Sequence, residues 1–505
     1  MTYHYSKIKW TEPKLYSVPL VCMFLLILLL QRKYTPSPDF VNTIHQEEIQ
    51  APWSIQLANL ATSKYSRQSL YTPSMFTPDA LNNNHFRPIT AIILRTHQDQ
   101  GIHHIVDHLH KYPFFKEISI YNLHSSSASL SPQLFERPNP WLLHKVDINI
   151  IDEKEQDHDG MLALFTTCAL STYDQCYIQD DHALNFHLDS LYTHYMRYPD
   201  LIHVNARSEE YLTHRRWQLY HQDETVHLHT GYANLRHGAI IPRSKAQLFL
   251  NQFAVQKTIL YQRRMADVFF SLWSNSYPYI VSNPLNLATE QNPPYHQMLN
   301  AVRRLEKALS DKLPYFDEND IGFPLKNRDV RTACENDKCL FVTNLDPFPL
   351  TTGYDSNQNL TNSSLGSSNA WQHELDIPGS EFWLHRGYHA AVDGDSSTCW
   401  NSYLVPKEGD YFGLDLVGNM RASRLLIQLR QPMQEQQQFK VRAEQQDGWV
   451  DCAITLDASQ SLPRRPVYQM QCPDDKPFRA IRLFFLKQHD RSFDLCGLGL
   501  DNFIL

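Results

Sequence analysis

The residues best suited to chemistry lie in Cys176-Tyr177-Ile178-Gln179-Asp180-Asp181-His182. Two adjacent carboxylates can hold a hard divalent cation through oxygen, and such a cation can neutralise a departing phosphate. His182 can also ligate manganese. The bland alternative is a solvated acidic turn. Other candidates surround the motif. Arg95-Thr96 ends an apolar run, and Arg215-Arg216-Trp217 offers cations and an aromatic plane suited to a diphosphate or a sugar face. Gly231, Arg236, His237 and Gly238 precede another apolar run, where bare backbone can let a ligand approach. Asp267 stands near the start of the helix-like stretch Arg263–Trp273, where the helix dipole also favours an acid.

These residues need elements to hold them. Thr90–Arg95, Glu117–Asn122, Lys145–Ile151 and Leu201–Asn205 read as strands, with helix-like Gln100–Lys111 and Met161–Thr172 between them. The alternation predicts a mostly parallel, doubly wound α/β sheet that presents its polar strand ends at the carboxyl edge. In the first helix His104 and His108 share i,i+4 spacing, but without a Glu between them they read as solvated histidines rather than a zinc site.

At the N-terminus, Leu15–Leu30 is apolar, interrupted by Pro19 and followed by Gln31-Arg32-Lys33, with no small residues for cleavage. The expectation is a signal anchor. It implies a single-pass type II protein of the Golgi or endoplasmic reticulum with its bulk in the lumen. Residues 1–14 would be the cytoplasmic tail, 15–31 the anchor and 32–85 a polar stem. The α/β domain spans 86–310, an irregular linker 311–375, and a second domain 376–505. Cys22 lies in the anchor, and the remaining eight cysteines permit complete pairing in an oxidising lumen, with connectivity open. Cys334 and Cys339 read as a local loop, with zinc as the rival reading. Asn359 and Asn362 begin sequons expected to carry glycans. A net charge of −8 gives no electrostatic case for nucleic acid. Short strand-like runs at Arg424–Leu429, Phe439–Ala443 and Ile481–Phe485 predict a β-sandwich or jelly roll at the C-terminus.

The Tyr177-Ile-Gln-Asp180-Asp181 strand resembles the acidic metal motif of nucleotide-sugar glycosyltransferases of the GT-A fold. With Thr90–Arg95 and the Asp267 helix carrying Trp273, residues from about 86 to 300 resemble the exostosin-like glycosyltransferases of family 64. The resemblance implies transfer of an N-acetylhexosamine or related hexose from a UDP-sugar to a glycan or glycoprotein, with retention at the anomeric carbon. It implies Mn²⁺ or Mg²⁺ held by Asp180, Asp181 and His182, although the family usually has a third acid where His182 stands. Donor contacts would fall to Arg95, Thr96, Arg215, Arg216 and Trp217, acceptor contacts to Gly231, His237 and Gly238, and catalysis to Asp267 with Arg236. Asp267 would orient the acceptor or stabilise positive charge, and in an inverting reaction would be the general base.

The stretch His389–Ser402, with Gly409–Leu416, resembles coagulation-factor type C (discoidin) domains. That resemblance implies a structural Ca²⁺ at Asp393, Asp395 and Thr398, with Asp501 as a candidate further ligand. A second function stays open: a catalytically inactive, membrane-anchored glycan-binding protein.

Overall fold

The computed structural model describes residues 87–96, 101–123, 130–135, 146–153, 160–182, 184–206, 220–223, 225–257, 260–282, 295–316, 330–345, 385–432 and 439–501. The anchor (15–31), the stem (32–85), Arg215, Arg216, Trp217 and both sequons lie outside them. Among the described residues no helix is long and apolar enough to cross a membrane.

The first part runs β1 (Ile89–Arg95), α1 (Gly101–Leu109), β2 (Phe115–Asn122), β3 (Asp147–Asp152), α2 (Leu162–Leu170), β4 (Gln175–Asp180), α3 (Leu188–Arg197) and β5 (His203–Ala206). After a hairpin, β6 (Tyr220–Asp223) and β7 (Leu228–Gly231), come β8 (Ala239–Pro242), α4 (Arg243–Val255), α5 (Leu260–Arg263), α6 (Ala266–Trp273), β9 (Tyr279–Ser282) and α7 (Tyr295–Ser310). The sheet order is β3-β2-β1-β4-β8-β5-β9, parallel except for β8. All seven β1 residues are buried, as expected of a strand covered on both faces. Helix α1 buries Ile102, Ile105, Val106 and Leu109, one helical stripe. His108 is buried on that helix too, which corrects the solvated reading. Its Nε2 donates to the Asn185 carbonyl at 2.7 Å, and burial keeps it neutral, with a pKa lowered to about 3.

Within residues 311–375 the chain forms a hairpin, β10 (Val330–Ala333) and β11 (Cys339–Thr343), that extends the sheet. Beyond it come β12 (Trp400–Asn401), β13 (Tyr411–Met420), β14 (Arg424–Leu429), β15 (Phe439–Gln445), β16 (Gly448–Leu456), β17 (Val467–Gln471), β18 (Phe478–Phe485) and β19 (Asp494–Leu500). They form an antiparallel sandwich. β11-β13-β18-β15 is one layer and β17-β14-β19-β12 the other, while β16 pairs with both. Seventeen of the described strands therefore join in one continuous ladder. One apolar cluster follows it, from Phe270 and Trp273 through Phe341 and Trp400 to Phe412 and Phe485.

The loop closed by Cys334–Cys339 is the joint. Asp337 accepts from the Asp189 and Ser190 backbone N–H groups at 2.9 Å each, capping α3 from outside its own chain segment. Lys338 pairs with Asp189. On the other side Glu335 N donates to Val392 O at 3.0 Å and Val417 N donates to Lys338 O at 3.0 Å. The remaining pairs are Cys168–Cys176, Cys399–Cys496 and Cys452–Cys472. The zinc alternative at Cys334 and Cys339 is excluded, since both sulfurs are in the disulfide.

Candidate active site

Strands β1, β2, β3 and β4 all end in polar residues at one edge. Arg95 stands beside Asn122, and Asn122 beside Asp152, in register. Arg95 Nη1 donates to Asn122 Oδ1 at 3.2 Å, and Asn122 Nδ2 donates to Asp152 Oδ1 at 2.8 Å. Asn122 and Asp152 were not singled out from sequence. The available signal is that each closes an apolar strand at the same edge as Arg95.

The acid pair lies next in the row and is almost fully covered, with Asp180 0% and Asp181 1% exposed. Asp181 is clamped by Thr96, whose backbone N–H donates to Oδ2 at 3.0 Å and whose Oγ1 donates to Oδ1 at 2.6 Å. Asp180 Oδ1 accepts from His182 N at 3.0 Å, and Oδ2 accepts from Arg236 Nε at 2.8 Å, with His182 Nδ1 also 3.0 Å away. Burial alone would raise the Asp180 carboxyl. The adjacent His182 imidazole and the Arg236 guanidinium outweigh it and hold the pKa at about 2.

Local turn chemistry brings Arg236 there. Asn234 Oδ1 accepts from Arg236 N at 3.2 Å, shaping a single 3₁₀ turn over Leu235–His237. Gly238 then adopts φ +104° and leads the chain into β8. A Cβ at Gly238 would come within 2.6 Å of Tyr177 Oη and 2.7 Å of Asn185 Nδ2. The bare face of this glycine is filled by the protein itself, not left for a ligand. Gly238→Ala is expected to cost about 1–3 kcal/mol from backbone strain alone. Chemical denaturation would show it, and a loss within error would refute the strained backbone at this glycine.

Asp267 approaches from the other side. The expected helix from Arg263 is broken at Arg264-Met265, so α6 starts at Ala266 and Asp267 lies in its first turn. One turn on, Ser271 ties this helix to the Arg236 segment: Ala233 N donates to Ser271 Oγ at 2.9 Å, and Ser271 Oγ donates to Gly231 O at 3.2 Å. Asp267 is 7% exposed. Burial raises its carboxyl pKa, against lowering by Arg236.

The three residues expected to meet an acceptor are buried instead. Gly231 is tied to Ser271, His237 Nε2 lies 3.1 Å from Asn234 Nδ2, and Gly238 packs on Tyr177. The expected metal set also does not fit. Each oxygen of Asp180 and Asp181 already accepts from a protein donor, and the carboxylates have almost no surface for an incoming ion. Among the described residues no three His, Cys, Asp or Glu side chains converge as ligands.

In the sandwich, Asp393 accepts from Thr398 Oγ1 at 2.6 Å and from Asp395 N at 3.0 Å, while Asp395 Oδ1 accepts from Ser397 N at 2.8 Å. The predicted calcium loop is thus closed by its own hydrogen bonds. Asp501 serves a different turn, accepting from Ser423 N at 3.0 Å and Arg424 N at 2.7 Å.

No protein-family model and no curated protein matches the chain. Among solved structures, CpGH89CBM32-5 from Clostridium perfringens, in complex with GalNAc-β-1,3-galactose, is 12% identical, with 22% of this chain and 81% of that one covered at a TM-score of 0.18. The mannosyltransferase PcManGT from Pyrobaculum calidifontis, in complex with GDP-Man and Mn²⁺, is 15% identical over 50% of this chain and 71% of that one, TM-score 0.29. S. aureus TarS is 8% identical over 81% of this chain and 77% of that one, TM-score 0.28. These scores are low, and no activity is assigned from them.

Proposed function

We propose that the chain is a glycosyltransferase that moves a sugar from a nucleotide-sugar, a UDP-sugar in particular, to a glycan or glycoprotein. The observation that carries this reading is the row Asp180–Arg236–Asp267 at the carboxyl edge of a parallel sheet, where such folds take ligands. Asp152, the exposed member of the polar strand ends, would receive the nucleoside, with Asn122 and Arg95 buried behind it to hold it in place. Arg236 supplies a fixed positive charge for the diphosphate leaving group. Asp267 would orient the acceptor hydroxyl, and in an inverting reaction take its proton. Anchoring by residues 15–31, a Golgi or endoplasmic reticulum membrane and an acceptor-guiding role for the sandwich belong to the same proposal.

The test is release of the nucleoside diphosphate by the full chain, screened across UDP-sugars and acceptors. A base whose pKa is raised from the ordinary Asp value is lost to protonation at a correspondingly higher pH. The acid limb of kcat/KM is therefore expected above the ordinary Asp value, and a limb at or below it would remove Asp267 from the base role. The saturated acid pair is what favours the second reading, an inactive glycan-binding protein. That reading wins if no UDP-sugar is bound.

A further inference from the structure

We infer that this site neutralises its diphosphate with its own guanidinium, Arg236, and needs no divalent cation to bind or turn over the donor. The inference rests on the glycosyltransferase reading and deepens it.

The geometry arranges charge in two tiers. The acids are beneath, Asp180 with a side chain 1% exposed; above lie the partly exposed side chains of Arg236, at 24%, and His182, at 21%, whose Nδ1 is itself buried. A ligand arriving from solvent therefore meets nitrogen donors before it meets carboxylate. An anion is attracted by that layer. A divalent cation must first displace the Arg236 Nε–Asp180 Oδ2 bond of 2.8 Å and then share the carboxylate with a charge that cannot be deprotonated. It would also have to strip Thr96 from Asp181, where both oxygens are occupied. Hard cations take oxygen ligands that can turn toward them. Here the acids act as an anchor for Arg236 and for Thr96 instead.

A guanidinium suits the task, because it pairs with phosphate oxygens as a planar fork and carries its charge at every accessible pH. In an inverting transfer step the bond between sugar C1 and the diphosphate oxygen breaks, and its electron pair stays on the phosphate. The acceptor hydroxyl oxygen bonds C1, and its proton passes to the Asp267 carboxylate. The charge that develops on the leaving oxygen falls in the field of Arg236.

The test uses titration calorimetry of the full chain with UDP and with GDP, in Mn²⁺ and in EDTA, beside UDP-sugar turnover in the same buffers. Affinity and turnover are expected to agree within about twofold between the buffers, and Arg236→Gln is expected to weaken nucleotide binding about tenfold or more. The Asp180→Asn/Arg236→Gln double variant keeps the buried pair hydrogen-bonded and uncharged, so a thermal melt like that of the native chain together with the same loss of affinity supports the inference. Nucleotide binding or turnover that requires Mn²⁺ overturns it and leaves the transferase reading standing, as does an Arg236→Gln chain that binds UDP normally. Failure to bind either nucleotide in both buffers overturns the two together.

Discussion

Asp267→Asn is expected to lower sugar transfer by about 10²- to 10⁴-fold, the contribution of a positioned general acid or base, with nucleotide affinity changed little. The substitution keeps the shape of the side chain and removes only its ability to hold a proton or a charge. Asp267 is held where that matters, in the first turn of α6, with Ser271 tying the same helix face to the Gly231–Ala233 backbone. Arg236 and Asp180 lie close enough for both charges to act on it. Burial keeps its pKa high, so it is a better base than an exposed Asp. The checks are single-turnover rates for transfer and calorimetry for the nucleotide. Loss of binding in parallel with rate would make Asp267 a folding residue, and an unchanged rate would exclude it from the chemistry.

A chain ended after residue 375 is expected not to fold. Strand β11 pairs with β13 from Cys339↔Leu416 to Thr343↔Phe412, so removal of the sandwich bares an apolar edge. Charge is lost with it. Asp415, on β13, neutralises Arg197 from α3 at 3.3 Å, Arg331 from β10 at 3.3 Å and Arg482 from β18 at 2.6 Å. Burial would raise the Asp415 carboxyl, but these three guanidinium groups hold it far below the usual range. Without it Arg197 and Arg331 lose their pairing with Asp415, and removing one partner of a buried ion pair costs about 3–5 kcal/mol. A domain has only about 5–15 kcal/mol to lose. Circular dichroism and a thermal melt of residues 1–375 decide the matter, and a cooperative melt with UDP binding would show the α/β part to be independent.

Much of the scaffold is legible in sequence because its signals are local. The apolar run of β1 ends at Arg95, β14 spans Arg424–Leu429 and α2 falls within Met161–Thr172, each marked by composition within a few residues. What sequence cannot carry is which distant groups meet. Asp180 and Asp181 read as open metal ligands until Arg236 and Thr96, 56 and 85 positions away, are seen bonded to them. His108 reads as solvated until its partner is found 77 residues on. Gly238 signals a close approach, but not that the approaching group is Tyr177. The Cys334–Cys339 loop reads as connection because Asp337 finds the end of α3 nearly 150 residues upstream.

That six-residue loop and the unbroken ladder beside it have a mechanical meaning. Two domains joined by a tether sample many spacings; here the described strands β9, β10, β11 and β13 run on as one sheet, β9 meeting β10 at the pair Ser282↔Thr332. A continuous sheet would set the sandwich and the Asp180–Arg236 edge at one offset, in the manner of the two jaws of a caliper. On the proposed function, a polymer held by the sandwich would be modified at a set number of units from the grip, and the spacing of added sugars along it would report the distance between the jaws.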